Sequence, residues 1–367
     1  MKMIKPGFKI YEIPDATDYN GVLMHLEKIG RTCYKSEDKI TETSAIKFID
    51  NLRKRKHWAM LEHYIFTLSI PKRTYDGLMR MKCNTSTMNN SDILMKFSYI
   101  HLTHCIDLRG TKYEYLLSFS ATALNYLMDC VELRTIDHSP LLDIYNFMCK
   151  DYLILMQQYD DIAESSELND EISFLLRDEI KSLPNWLRDI HDFASVKFTV
   201  DRGVTHELVR HRPASWAQES TRYCNYSQGK FGEEITVIIP TFFDTEMELM
   251  SNSFVFNEWK TSCERSEDHY FKLLSMGATP QEARTVLPNS LKADIIMTAT
   301  LHEFRHFFDM RCPSGAHPQM REVSLPLLAD FSYHNEYYKG IFNDQTDLLY
   351  DYKNINKWGD NNEPVKS

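Results

Sequence analysis

An α+β fold is what this 367-residue sequence predicts, on three observations. Short runs with strand character, at residues 8–13, 64–70, 193–200 and 235–239, stand among longer stretches of helical spacing. A hydrophobic content of 43% is enough to bury a substantial core. Glycine is scarce at 12 residues, and neither GxGxxG nor GxxxxGK occurs. That removes the Rossmann and P-loop phosphate cradles, so a nucleotide would have to be held by side chains.

Residues 8–13 alternate as a strand does, and residues 44–56 carry Ala45, Ile46, Phe48, Ile49 and Leu52 at helical spacing. The strand at 64–70 is ended by Pro71, which lacks the N–H a ladder needs. Residues 72–192 are rich in Leu, Met, Tyr and acidic residues, predict helices near 118–133 and 141–159, and contain no catalytic constellation. The strand at 193–200 runs into RGVTHELVRHRP, a predicted helix ending near Arg212, because the residue before a proline avoids the α region. A long amphipathic helix is expected within 246–274, with Gly277 as its terminator. Thr279-Pro280-Gln281-Glu282 is a capping box with proline at the first helical position, opening a helix that carries Arg284. A further helix is expected over 291–311, with Ile295, Leu301, Phe304 and Phe308 toward the core. From Asn354 the tail is polar.

A formal net charge of -10 disfavours broad attachment to nucleic acid or an anionic membrane. The N-terminus has no secretory apolar core, no stretch is apolar enough to span a bilayer, and the eight cysteines show no CxxC pair. The expectation is a cytoplasmic protein with reduced thiols.

Against this acidic background two segments are locally basic. Residues 201–230 hold five cations (Arg202, Arg210, Arg212, Arg222, Lys230) against three anions (Asp201, Glu207, Glu219). Guanidinium forks suit phosphate, although cations also favour a helix C-terminus for its dipole alone. Residues 284–321 hold Arg284, Lys292, Arg305, Arg311 and Arg321 against Asp294, Glu303 and Asp309, with His302, His306 and His317 among them. His302-Glu303-Phe304-Arg305-His306 fits HExxH, which on a helix can offer two imidazoles to zinc. A third ligand is wanting, since Asp309 and Cys312 stand where the extended motif needs Gly and His, and no metal is expected. A third segment, His57 to His63, precedes the strand at 64–70 and by itself supports no function.

Taken together these segments resemble the flavin-dependent thymidylate synthases, whose signature is Arg-His-Arg, seven residues, then Ser: here Arg210-His211-Arg212 and Ser220. RTCYKS near the start, the Glu62-His63 pair of LEHYIFTLSI, ARTVLP at 283–288 and FRHFFDMRCPSGAHPQMREV at 304–323 agree in order. The resemblance implies a central antiparallel sheet with flanking helices. It implies one catalytic domain over 1–353, interrupted by a mainly helical insertion at about 72–192, and a tail over 354–367. It further implies a homotetramer with active sites between subunits, acting on dUMP with FAD, NADPH as reductant and methylenetetrahydrofolate as one-carbon donor.

Carried over by position, His63, Arg210, His211, Arg212 and Gln218 would contact FAD, with Thr300, His302 and His306 approaching from another subunit. Glu207, Arg210, Gln218, Glu219, Ser220, Arg222, Arg284 and Arg311 would surround dUMP. Arg311 is the expected stabiliser of charge on the uracil ring, and Ser220 a hydrogen-bonding residue rather than a nucleophile, because no base accompanies it. Ala217-Gln218 replaces the family's common Asn-Glu, and Thr300, His302 and His306 stand where the family commonly has Asn or Arg. The rival readings are hydroxymethylation of dUMP on the same fold, a zinc hydrolase built on HEFRH, and a silent nucleotide-binding relative.

Overall fold

The computed structural model describes residues 1–83, 100–105, 113–132, 139–158, 171–227, 232–243 and 254–350. Its strands are β1 (Lys2–Ile4), β2 (Gly7–Tyr11), β3 (Ile65–Ser69), β4 (Ile100–His104), β5 (Tyr115–Ser120), β6 (Ser173–Phe174), β7 (Phe193–Asp201), β8 (Ser215–Gln218), β9 (Thr236–Ile238) and β10 (Lys292–Thr300). The helices that position the site are α1 (Tyr19–Thr32), α2 (Ser44–Lys54), α3 (Arg202–Leu208), α4 (Leu301–Arg311) and α5 (Pro318–Ala329).

The central sheet runs β2–β7–β10–β8 and is antiparallel throughout. Strand β10 corrects the expectation of one helix over 291–311. Ile295, Ile296 and Met297 are all fully buried, because β10 has neighbours on both edges and packing on both faces. Such a strand loses the alternation of a half-exposed one and reads like a buried helix. The helix begins only at Leu301, where Thr300 caps it through Oγ1.

The two faces of the sheet differ. Ile295, Met297 and Ala299 of β10, opposite Phe198, Val196 and Ala194 of β7, face α4 and α5 and join Phe304, Phe307, Phe308 and Phe331 in one apolar core. Burying each such phenylalanine contributes roughly 1.5–3 kcal/mol. Asp294, Ile296 and Thr298, opposite Thr199, Lys197 and Ser195, face the other way, toward α1 and the turn over Trp58–His63.

A second antiparallel sheet has the order β4–β5–β3–β6. Residues 72–192 are therefore not only helical: helices Ala121–Glu132 and Ser139–Tyr152 lie where helices are expected, but β4, β5 and β6 pair around β3. Ser118 lies within β5 instead of opening a helix, and the helix begins at Ala121. Strand β1 is too short at three residues to show a sequence alternation, and it pairs in parallel with β9. The long helix is Phe254–Ser275, and Gly277 ends it with a φ of 94°, its N–H donating to Leu274 O. The Thr279 to Glu282 capping box forms as expected. The tail from Asn354, residues 246–253 of the expected helix, and Lys230 lie outside the described residues. Among the described residues no helix is long and apolar enough to cross a membrane.

Candidate active site

The signature segment starts from β7. Asp201, at the end of that strand, caps α3 by accepting from the Val204 N–H at 2.8 Å. Helix α3 stops at Leu208, earlier than the proline rule alone suggested, so Arg210-His211-Arg212 lies in the turn that follows. The chain then enters β8, held against β10 with Ser215 opposite Thr298 and Gln218 opposite Ile295. Ser215 Oγ donates to Glu62 at 2.9 Å on one face, and Gln218 Nε2 donates to Thr205 at 3.0 Å on the other.

Within the turn, Arg210 and Arg212 are exposed while His211 is buried. The His211 ring packs 5.0 Å from the ring of His306 on α4, and its Nε2 lies 3.2 Å from Glu303 O. Burial, with help from His306 and Arg311, pushes the His211 pKa down to about 4. The imidazole is therefore neutral near pH 7.

Arg311, at the end of α4, reaches back to α3. Its Nη2 donates to Glu207 O at 3.2 Å, and its Nη1 lies 3.8 Å from the Glu207 carboxylate. Its Nε is buried without a hydrogen-bond partner among the described residues. On the far side of β8, Arg284 Nη1 donates to Thr221 at 3.2 Å. Ser220 N donates to Cys33 O at 3.0 Å, and Ser220 Oγ accepts from the Arg222 N–H at 3.3 Å, with no hydrogen bond to an imidazole among the described residues. Arg222 lies over the ring of the exposed Tyr223. Arg210, Arg212, Arg222 and Arg284 are all exposed, and none pairs with a described carboxylate.

Glu219 occupies a different setting from its neighbours. It is buried, and its carboxylate accepts from Lys292 at 2.9 Å and from the Asp294 N–H at 3.1 Å, with Lys35 3.4 Å away. Lys35 and Lys292 also bind Asp294, which accepts from Thr199 at 2.7 Å. Burial alone would raise the Asp294 carboxyl, but the ammonium groups of Lys292, Lys35 and Lys197 hold it well below the usual range. Glu219, expected from the resemblance to meet dUMP, is in this conformation an internal counter-charge. It ties the Ser220 loop to β10 and to the turn after α1.

His63 is likewise internal. Its Nδ1 lies 2.7 Å from Thr298 Oγ1, which lies 2.7 Å from Ser195 Oγ, and its Nε2 has no hydrogen-bond partner among the described residues. Its carbonyl meets His25 Nε2 at 3.2 Å. Burial drives the pKa of His63 down to about 3 and that of His25 to about 4. Thr300 is buried as the cap of α4, whereas His302 and His306 are exposed one turn apart on its outer side. Among the described residues no three His, Cys, Asp or Glu side chains converge as metal ligands would.

The structure thus brings together Glu207 and Arg311, Gln218 and Thr205, Ser220, Thr221 and Arg284, and His211 and His306. It places His63 and Thr300 inside the core. Sequence reasoning missed Thr298, Ser195, His25, Thr205, Thr221 and the Lys35–Asp294 pair. Lys35 stands in the RTCYKS block, yet 259 positions separate it from Asp294. No local pattern joins residues that far apart.

The sequence model of the family described as thymidylate synthase complementing protein matches residues 159–332. A flavin-dependent thymidylate synthase of Geobacter sulfurreducens is 30% identical over 172 residues, covering 46% of this chain and 68% of that protein. Those of Pyrococcus abyssi and Pyrococcus furiosus are 30% and 31% identical, over 43% and 41% of this chain. The chain spans 65% and 62% of the length of these two relatives. Among solved structures, a UMP/dUMP methylase of Streptomyces cacaoi bound with 5-Br dUMP is similar at a TM-score of 0.33 and 18% identity, covering 45% of this chain and 77% of that one.

Proposed function

Because this chain belongs to the flavin-dependent thymidylate synthase family, we propose that it converts dUMP to dTMP with FAD, NADPH and methylenetetrahydrofolate. The observation that carries the reading is the strand pairing of β8 with β10. It sets the Arg210 to Arg222 segment between Arg311, reached through Glu207 and α3, and Arg284, reached through Thr221. Four exposed guanidinium groups without carboxylate partners among the described residues fit ligands that carry phosphate, as FAD and dUMP do.

When bound, reduced FAD supplies the reducing equivalents, and the folate supplies the carbon. The protein's own part is orientation and charge. Carbon five of uracil becomes nucleophilic only as negative charge grows on the ring, and a fixed guanidinium stabilises that charge without a proton transfer. Arg311 takes this role: Glu207 holds one of its ends, and its Nε has no hydrogen-bond partner among the described residues. Arg284 and Arg222 take the nucleotide phosphate, and Ser220 a hydrogen bond to the nucleotide. Arg210, His211 and Arg212 face the flavin, with Gln218 between the two ligands and the outward His302 and His306 meeting a flavin in a homotetramer. A cytoplasmic setting belongs to the same reading, supported by free thiols at Cys33, Cys105, Cys149, Cys224, Cys263 and Cys312.

Equilibrium dialysis of the full chain with FAD, with and without dUMP, tests the proposal together with product analysis. The expected results are stoichiometric uptake and dTMP. No uptake in either condition refutes the reading. Arg284→Ala should weaken dUMP binding by ~1.5–3 kcal/mol, the worth of a charge-assisted contact, with FAD uptake retained.

A further inference from the structure

Helix α2 turns Ala45, Ile49 and Leu52 inward, which fixes its opposite face toward solvent. Between that helix and the end of α1 lies a groove of about 620 Å³. Arg31, Lys39, Lys47 and Arg55 line it, and no carboxylate does. Glu27, beneath it, is already bound by Arg31 and Ser44, and the acids of the connecting turn, Glu37, Asp38 and Glu42, are not among its walls. Lys39, Lys47 and Arg55 are exposed and make no ion pair with a described carboxylate. In a chain of net charge -10, an unpaired row of cations is unexpected for a merely solvated face.

Two contacts join the wall of the groove to the signature loop. Tyr34, one of its walls, packs its ring 5.3 Å from that of Tyr223, next to Arg222 in the signature loop. Cys33, one residue earlier, accepts the Ser220 N–H. Lys47 and Arg55 stand eight residues apart, with Asn51 midway, so these two cations, the second at the helix's C-terminal cap, are ~12 Å apart along its axis. A single phosphate calls for donors that converge on one point. A row of this length fits an extended chain that carries one negative charge per unit.

We propose that the α1–α2 groove binds the oligo-γ-glutamyl tail of the reduced folate, holding it while the pterin end reaches the site beyond Tyr34 and Tyr223. The inference rests on the folate reading above and adds to it a substrate preference: folates with several glutamates over the monoglutamate. Each exposed contact is weak alone, but three acting on one flexible chain are expected to lower KM about tenfold.

The test uses the full chain loaded with FAD, comparing methylenetetrahydrofolate carrying one glutamate with the same folate carrying five. The parent should show a KM about tenfold lower for the longer tail, an advantage that shrinks with added salt. The triple variant Lys39→Gln, Lys47→Gln, Arg55→Gln should lose that advantage while its monoglutamate kinetics, dUMP KM and thermal unfolding stay unchanged. Equal KM values in the parent, or an advantage that survives in the triple variant, overturn the proposal. If the parent turns over neither folate, the functional reading itself fails, and titration with free penta-γ-glutamate decides the groove. Binding lost in the triple variant then supports it, and no binding, or tighter binding of inorganic tripolyphosphate, overturns it.

Discussion

The two faces of the central sheet solve opposite problems with the same strands. Toward α4 and α5, β7 and β10 present Val196, Phe198, Ile295 and Met297, and stability comes from apolar burial. Toward α1 they present Ser195, Thr199, Asp294 and Thr298, and every one of these is held by another polar side chain. The apolar face tolerates volume-conserving swaps between apolar side chains, because its packing is distributed over many non-directional contacts. The polar face does not, because a buried group that loses its partner keeps its whole desolvation cost. Signature residues hang from both. Arg311 and Gln218 lie on the α3 and α4 side, while the Ser220 loop is tied through Glu219 to the charged side.

Three experiments would break or sharpen this comparison. The largest effect is expected from Asp294→Asn, which leaves Lys35 and Lys292 partly uncompensated in a buried setting. It should cost ~3–5 kcal/mol of stability in denaturant unfolding and loosen the Ser220 loop. A loss under 1 kcal/mol would mean that the charge cluster is not the anchor described here.

Arg311→Ala should show the reverse pattern. The side chain is partly exposed and its partners are on α3, so folding should change little. Turnover at saturating dUMP should fall ~100-fold or more, because ring charge is larger in the transition state than in the ground state. Lysine at this position should rescue little, since an ammonium lacks the planar fork. An unchanged saturated rate with weaker dUMP binding would move ring activation away from Arg311.

The third effect is a pH dependence. His25 and His63 sit at about 4 and about 3 on the polar face, both below the ordinary value because of burial. The unfolded chain therefore takes up protons first as pH falls through ~6.5. Stability from these two groups is fully present above that pH and is lost as pH drops toward the folded values, by ~1.4 kcal/mol per unit for each histidine. Unfolding free energies at pH 7.5 and pH 5 would reveal it. A flat profile would show that these imidazoles are not buried neutral.

Sequence alone determined a good deal here. Local chemistry is complete within a few residues at the Thr279 to Glu282 capping box, at Gly277, and in the strands at β2, β3 and β7, and all of these formed as read. The family also follows from linear motifs, because Arg210 to Ser220 and the blocks around it keep their order and spacing along the chain. Tertiary structure alone decided three things. Strand β10 replaced part of an expected helix because its pattern reflects burial on two faces, which exists only once β7 and β8 flank it. Three strands from residues 72–192 joined β3 because sheet pairing is non-local. Glu219 became a counter-charge rather than a free carboxylate because Lys35 and Lys292 arrive from opposite ends of the chain, and a charge's role is set by what is near it in space.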